Sequence, residues 1–242
     1  MAAERIEHQG AAPRRGADAG VEGTLGALRE ECELTSQLVL GLSEEDFSRP
    51  TRLPAWNVKE LLGHLYRGID RTNWALDDDD PVVPDADSVS YWRRIDPSYD
   101  STHIADRAKE IADRFGSGQE LAAAWDELWR RALGRAANTD PDRQMKTWEP
   151  VLTLEDFVRT RVLEVTVHRT DLMTALGLPP DPSEGGLNIT QEILLGLLEA
   201  DLTALPSWDG VEFIEKGTGR RPLSEEDRKA LGELADRFPL LA

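Results

Sequence analysis

The run Leu154-Glu-Asp-Phe157-Val158-Arg-Thr-Arg161-Val-Leu163-Glu164-Val165-Thr-Val-His168-Arg-Thr-Asp171-Leu172-Met-Thr-Ala-Leu176, followed by Gly177-Leu-Pro179-Pro180, decides how this chain is read. At roughly 100° per residue, Leu154, Phe157, Val158, Val165, Leu172 and Leu176 define one apolar stripe, and a glycine followed by two prolines closes the segment. A helix over 154–176 is predicted. Glu164 and His168 fall at the edge of that stripe or inside it, where apolar residues belong. Spaced i, i+4, they share one helical face, and a buried glutamate is costly unless it is paired or bound to a cation. Carboxylates and imidazoles so placed in bundle cores converge on metal ions. The plainer reading makes the histidines hydrogen-bonded core residues and pairs Glu164 with an arginine such as Arg161.

Upstream, Leu25, Leu28, Cys32, Val39 and Leu42 recur at helical spacings over 21–42. Pro50 and Pro54 then break the pattern. A second helix starts near Trp56, with Val58, Leu61, Leu62, Leu65, Tyr66 and Ile69 as a continuous stripe. Residues 104–137 carry Leu121, Trp125, Leu128, Trp129 and Leu133 on one face and make a third helix, in one or two pieces according to whether Gly116-Ser-Gly118 interrupts it. Four long amphipathic helices without convincing alternating strands argue for a mainly α protein, a four-helix bundle over 21–178. Residues 179–242 read as a small C-terminal α or α+β annex: a helix over 190–205, a short strand over 211–215, a Gly-Thr-Gly turn and a helix over 224–237. Residues 1–20 offer almost nothing to bury and read as a disordered leader. Residues 77–103, with consecutive aspartates at 77–80, scattered prolines and aromatics, form a long excursion that could fold over a site.

Lys and Arg number 28 against 46 Asp and Glu, a net charge of -18, which repels phosphate backbones and anionic membrane surfaces. No apolar run approaches a membrane span, and no apolar export segment follows Arg14 and Arg15, so a soluble, cytoplasmic protein is expected. One cysteine, Cys32, excludes an intrachain disulfide and a Cys-rich zinc site. The aspartates at 77–80 lack the spacing of a calcium loop, and Gly217-x-Gly219 lacks the third glycine of a dinucleotide fingerprint.

A third ligand beside Glu164 and His168 has to come from another helix. Of the four histidines, His8 lies in the leader and His103 in the excursion, whereas His64 flanks the stripe of the second helix between Gly63 and Gly68. Two histidines and one glutamate with an open fourth position is the pattern of a catalytic zinc. The segment Leu53-Pro-Ala-Trp56-Asn-Val58-Lys-Glu-Leu61-Leu-Gly-His64-Leu, followed by Arg161-Val-Leu-Glu164-Val-Thr-Val-His168-Arg-Thr-Asp171-Leu, resembles the mycothiol-dependent maleylpyruvate isomerase family of the DinB-like helical superfamily. The resemblance implies an up-down-up-down bundle that binds a divalent metal, usually Zn²⁺, through His64, Glu164 and His168. It further implies mycothiol as cosubstrate, in S-transfer to a small electrophilic substrate or in its cis-trans isomerisation.

The tail Gly217-Thr-Gly219-Arg220-Arg-Pro222 is shorter than the C-terminal domain of the full isomerase, so maleylpyruvate itself is not assigned. Arg220 is a candidate for holding a substrate or cofactor carboxylate, since guanidinium binds carboxylate bidentately, or else a solvated turn residue. Trp56, with Tyr91 and Trp92, is read either as a pocket wall or as packing. Two other functions fit the same residues: a non-catalytic metal- or ligand-binding DinB-like protein, and a metal-dependent biosynthetic enzyme that uses no thiol. The oligomeric state expected is monomer or homodimer.

Overall fold

A computed structural model describes residues 20–78, 80, 82–94 and 102–241. The leader expected over 1–20 lies outside the described residues, apart from Gly20, which caps α1 (Val21–Val39). A connection holds the single turn α2 (Glu44–Phe47), capped reciprocally by Ser43 and Asp46. The helix α3 (Val58–Asp77) begins at a second capping box: the Asn57 side chain accepts from the Glu60 N–H at 2.9 Å and the Glu60 carboxylate accepts from the Asn57 N–H at 2.8 Å. That box fixes where the helix starts and therefore which way His64 points.

Within the excursion lies one short helix, α4 (Ser90–Arg93), whose Tyr91 is buried. The third predicted helix is two: α5 (Thr102–Asp113) and α6 (Gly118–Ala137), the latter capped by Ser117. The Gly-Ser-Gly interruption is therefore real, and Phe47 packs directly over Gly118, where a Cβ has no room. Between α6 and the next helix stands a small antiparallel hairpin that the sequence did not suggest, β1 (Gln144–Lys146) and β2 (Val151–Thr153), with Met145 opposite Leu152. Three residues per strand are too few to display alternation.

The decisive helix is α7 (Leu154–Ala175), capped by Thr153. α1, α3, α6 and α7 form a closed ring of contacts (α1 on α6 and α7, α3 on α6 and α7), and α5 lies outside against α3. The core they enclose includes Cys32, Leu61, Leu65, Trp125, Leu128, Phe157 and Val165. This is the expected mainly helical, DinB-like bundle. α7 is buried on nearly every side, because α8 (Glu184–Leu198) covers it too.

Among its described residues the annex holds helices and no strand, and it departs from expectation in detail. α8 starts at Glu184, earlier than predicted, since Ser183 caps it. Gly185 and Gly186, which look like breakers, sit where the helix touches Ala27, Glu31 and Thr166. It ends at Leu198, short of the predicted 205, because Glu199 turns left-handed at φ 56°. The strand expected over 211–215 is a helix, α9 (Gly210–Gly217), capped by Asp209, with Phe213 and Ile214 buried. The last predicted helix is α10 (Glu225–Leu231) continued as a 3-10 turn through Arg237. A second apolar cluster joins Leu163 and Val167 of α7 to Ile193 and Leu194 of α8 and Phe213 and Ile214 of α9. The annex thus shares a core with the bundle's central helix.

Candidate metal centre

His64 reaches the site from α3 and Glu164 and His168 from α7, one helical turn apart. Their ligating atoms lie within 4.8 Å of one another. His64 Nε2 stands 3.1 Å from Glu164 Oε2, and His168 Nε2 stands 3.5 Å from the same oxygen. Glu164 and the two histidines are the three residues singled out in the sequence; both histidines are hydrogen-bonded, as the plainer reading has it, but Glu164 is hydrogen-bonded to His64, while Arg161, the arginine suggested there as its partner, bonds to Thr160 and to the Gly68 carbonyl. His103 is exposed on α5, and His8 lies outside the described residues.

Electrostatics suits a cation here. Burial lowers the His64 pKa, which favours the neutral imidazole a metal needs. Burial alone would raise the Glu164 carboxyl, yet the hydrogen bond from His64 and the charges of His64, His168 and Arg161 hold it well below the ordinary carboxylate range. Glu164 is thus an anion between two imidazole nitrogens. Two histidines and a carboxylate form a donor set fitted to zinc and its neighbours.

Both imidazoles are steadied from behind. The Trp56 ring lies 4.7 Å from the His64 ring and 6.2 Å from that of His168, and its indole N–H donates to the Ala105 carbonyl at 3.3 Å. Trp56 therefore backs both imidazoles. His168 Nδ1 meets Asp171 Oδ2 at 2.9 Å. When that nitrogen carries the proton, Nε2 keeps its lone pair toward Glu164 and the metal position.

Asp171 is fully buried and is held by two arginines: Arg52 Nε donates to Oδ1 at 2.5 Å, and Arg220 donates through Nη2 to Oδ2 at 3.1 Å and through Nε to Oδ1 at 3.3 Å. Burial opposes ionisation, but the hydrogen bond and charge of His168 and the charge of Arg220 keep the Asp171 carboxyl well below its usual range. Arg52 continues to Glu215 of α9 at 2.7 Å. Arg220, named from the sequence as a carboxylate holder, thus has a carboxylate of this chain as its partner and stands behind His168.

The third side of the site opens into a cavity of about 460 Å³ lined by His64 and Glu164. Tyr91, Trp92 and Trp148 supply aromatic walls, so two aromatics of the excursion do reach the pocket while Trp56 does not line it. Five arginines also line it, Arg67, Arg71, Arg94, Arg107 and Arg161. Apart from Arg161, considered above as a partner of Glu164, none of the five stood out in the sequence. A signal was present on α3, where His64, Arg67, Gly68 and Arg71 follow at i, i+3, i+4 and i+7 and so share a face.

The family model for the mycothiol maleylpyruvate isomerase N-terminal domain matches residues 28–173, from within α1 almost to the end of α7. No curated protein and no solved structure matches the chain. Among the described residues no helix is long and apolar enough to cross a membrane. The match spans more than half of the chain and both ligand-bearing helices, so the chain belongs to the mycothiol maleylpyruvate isomerase N-terminal domain family.

Proposed function

From that membership and from the ligand geometry, we propose that the protein is a metal-dependent enzyme that uses a low-molecular-weight thiol, mycothiol, on a small electrophilic substrate. The observation that carries this reading is the convergence of His64, Glu164 and His168 at the wall of a 460 Å³ cavity, which lies within the usual range for small-molecule sites. His64 and His168 offer imidazole nitrogens, Glu164 offers a carboxylate, and Asp171 stands where its carboxylate can accept from the far nitrogen of His168. A divalent ion held by His64, Glu164 and His168 would supply Lewis acidity, which would favour the thiolate form of a thiol at neutral pH. Thiolate addition to an electrophilic carbon gives S-transfer when the adduct is released. It gives cis-trans isomerisation when the adduct rotates about the former double bond and expels the thiol again.

Metal content and the cobalt spectrum test this together. The purified protein is expected to carry close to one divalent ion per chain, and His168→Ala to lose it. With Co²⁺ in place of the native ion, mycothiol is expected to produce a thiolate-to-cobalt charge-transfer band stronger than mercaptoethanol does, and His64→Ala to abolish it. A cobalt spectrum indifferent to mycothiol, with cobalt bound, would leave the thiol-free or non-catalytic function in its place.

A further inference from the structure

The hairpin between α6 and α7 brings two neighbouring residues of its turn, Trp148 and Glu149, to the cavity that His64 and Glu164 also line. That cavity has two unlike ends. At the inner end the His64 and Glu164 side chains are 18% and 20% exposed, and Arg161 is buried. At the outer end Trp148 is 48% exposed and Glu149 is exposed as well. A lone apolar residue on a surface is ordinary, but this indole belongs to a cavity wall and is held in place. The Thr147 N–H and hydroxyl both donate to the Pro150 carbonyl, at 3.2 and 2.7 Å, and close the turn around Trp148 and Glu149. Pro150 is buried, and Val151 is laced to the excursion: its N–H donates to the Asp85 carboxylate at 2.9 Å and its carbonyl accepts from the N–H groups of Asp85 and Ala86. On the other strand Lys146 pairs with Asp78 at 3.3 Å and with Asp80 at 3.2 Å. An exposed ring on a braced turn is a contact surface whose ordering cost is already met.

We propose that Trp148 and Glu149 form the subsite for the sugar part of the thiol cosubstrate. The proposal rests on the thiol reading above and states how this protein tells its cosubstrate from other thiols. The flat apolar face of an indole matches the C–H face of a sugar ring, and a carboxylate accepts hydrogen bonds from the ring's hydroxyls. Trp148 and Glu149, adjacent in one turn, supply the two halves of that recognition side by side. The contrast between the ends orients the molecule. Its sulfur goes inward to the donor set of His64, Glu164 and His168, and its polyhydroxylated body stays at the open end, where the hydroxyls that miss Glu149 remain in water. The hairpin, which contributes no metal ligand, thereby acquires a role in choosing the thiol.

Cobalt-loaded protein titrated with mycothiol and with N-acetylcysteinamide, which keeps the thiol end and lacks the sugar, tests the assignment through the thiolate-to-cobalt band, with calorimetry of mycothiol binding alongside. Mycothiol is expected to half-saturate the band at a concentration about tenfold lower than N-acetylcysteinamide does. Trp148→Ala is expected to bring the two within about twofold of each other by weakening mycothiol alone, with metal content unchanged. Trp148→Phe, which keeps a smaller ring, is expected to fall between, and Glu149→Gln to weaken mycothiol by about threefold. Equal half-saturation by the two thiols, a preference for mycothiol that Trp148→Ala leaves intact, or a loss in Trp148→Ala shared equally by N-acetylcysteinamide each overturns the subsite while the thiol reading stands. If neither thiol produces a band but calorimetry shows mycothiol binding that Trp148→Ala weakens, the thiol reading falls and the subsite stands. Mycothiol binding absent by both measures, or without a band and indifferent to Trp148→Ala, overturns both.

Discussion

Asp171 shows how one side chain ties a candidate metal ligand, His168, to its scaffold. It accepts from Arg52 and Arg220, faces His168 Nδ1, and is shut off from solvent, so its charge is committed on three sides. Replacing it by asparagine keeps the shape, but a donor then faces one of the arginines and the imidazole loses its anionic partner. Partners of this kind are worth about 10–100-fold in metal affinity. Asp171→Asn is therefore expected to weaken zinc by about that factor in a chelator competition; a change within about twofold would mean that the contact does not orient His168. Cys32 makes the opposite case. It is fully buried, and burial followed by the charge of Glu31 pushes its thiol pKa up, so little thiolate forms at neutral pH. Alkylation at pH 8 is expected to be at least about a hundredfold slower in the native protein than in urea, since reaction requires opening. Rapid native labelling would contradict its place in the core. Glu164 and His168 were legible in the sequence because polar residues fell at the edge of an apolar stripe or inside it, and His64 because the other histidines had no fixed frame. That Arg71 and Arg161 line one cavity was not legible, because they come from helices far apart in the chain and only folding brings them together.

Helix packing decides what each glycine is for. A Cβ on Gly63 of α3 would stand 2.6 Å from the Ala108 carbonyl and 3.2 Å from the Ala112 nitrogen, both backbone atoms of α5, so the helices would have to separate. Gly63→Ala is expected to cost about 1–3 kcal/mol, read from the urea midpoint, by overpacking. Gly134 of α6 meets nothing within 4 Å, and Gly134→Ala is expected to add about 0.5–1 kcal/mol through helix propensity alone. Equal shifts in the two variants would remove the close approach of α3 and α5 as the reason for Gly63.

The same contrast explains which elements the sequence disclosed. Stripes of 15 or more residues in α1, α3, α6 and α7 revealed themselves by period. Val211-Glu-Phe-Ile-Glu215 is too short to separate a period of two from one of 3.6, and only the Asp209 cap and the burial of Phe213 and Ile214 against α8 make it a helix. Gly185 and Gly186 lie in the first turn of α8 although glycine costs helix propensity, and there they permit contact with α1 and α7.

At the scale of the whole molecule, the family match ends at residue 173, yet the physical unit does not. Leu163 and Val167 of α7 are buried by α8 and α9, Glu31 of α1 accepts from Arg169 and from the Ser183 N–H, and Glu215 and Arg220 reach Arg52 and Asp171 behind the metal site. Breaking the annex away would expose apolar faces of α7 and leave Asp171 with one arginine fewer. Unfolding in urea is therefore expected to be one transition, with far-UV circular dichroism and tryptophan fluorescence coinciding, since Trp125 and Trp129 report the bundle and Trp208 the annex. Bound metal favours the folded state by RT ln(1 + [metal]/Kd), about 2.7 kcal/mol at a hundredfold excess over Kd. Because α7 carries two of the three candidate ligands and belongs to both cores, zinc is expected to raise both signals by the same amount. Hydrogen exchange supplies the sharper check: amides of α9 are expected to gain protection with zinc alongside those of α7, although no ligand lies on α9. Protection confined to α3 and α7, with α9 exchanging at its metal-free rate, would mean that the annex opens independently and that the Arg52–Asp171–Arg220 network does not couple it to the site.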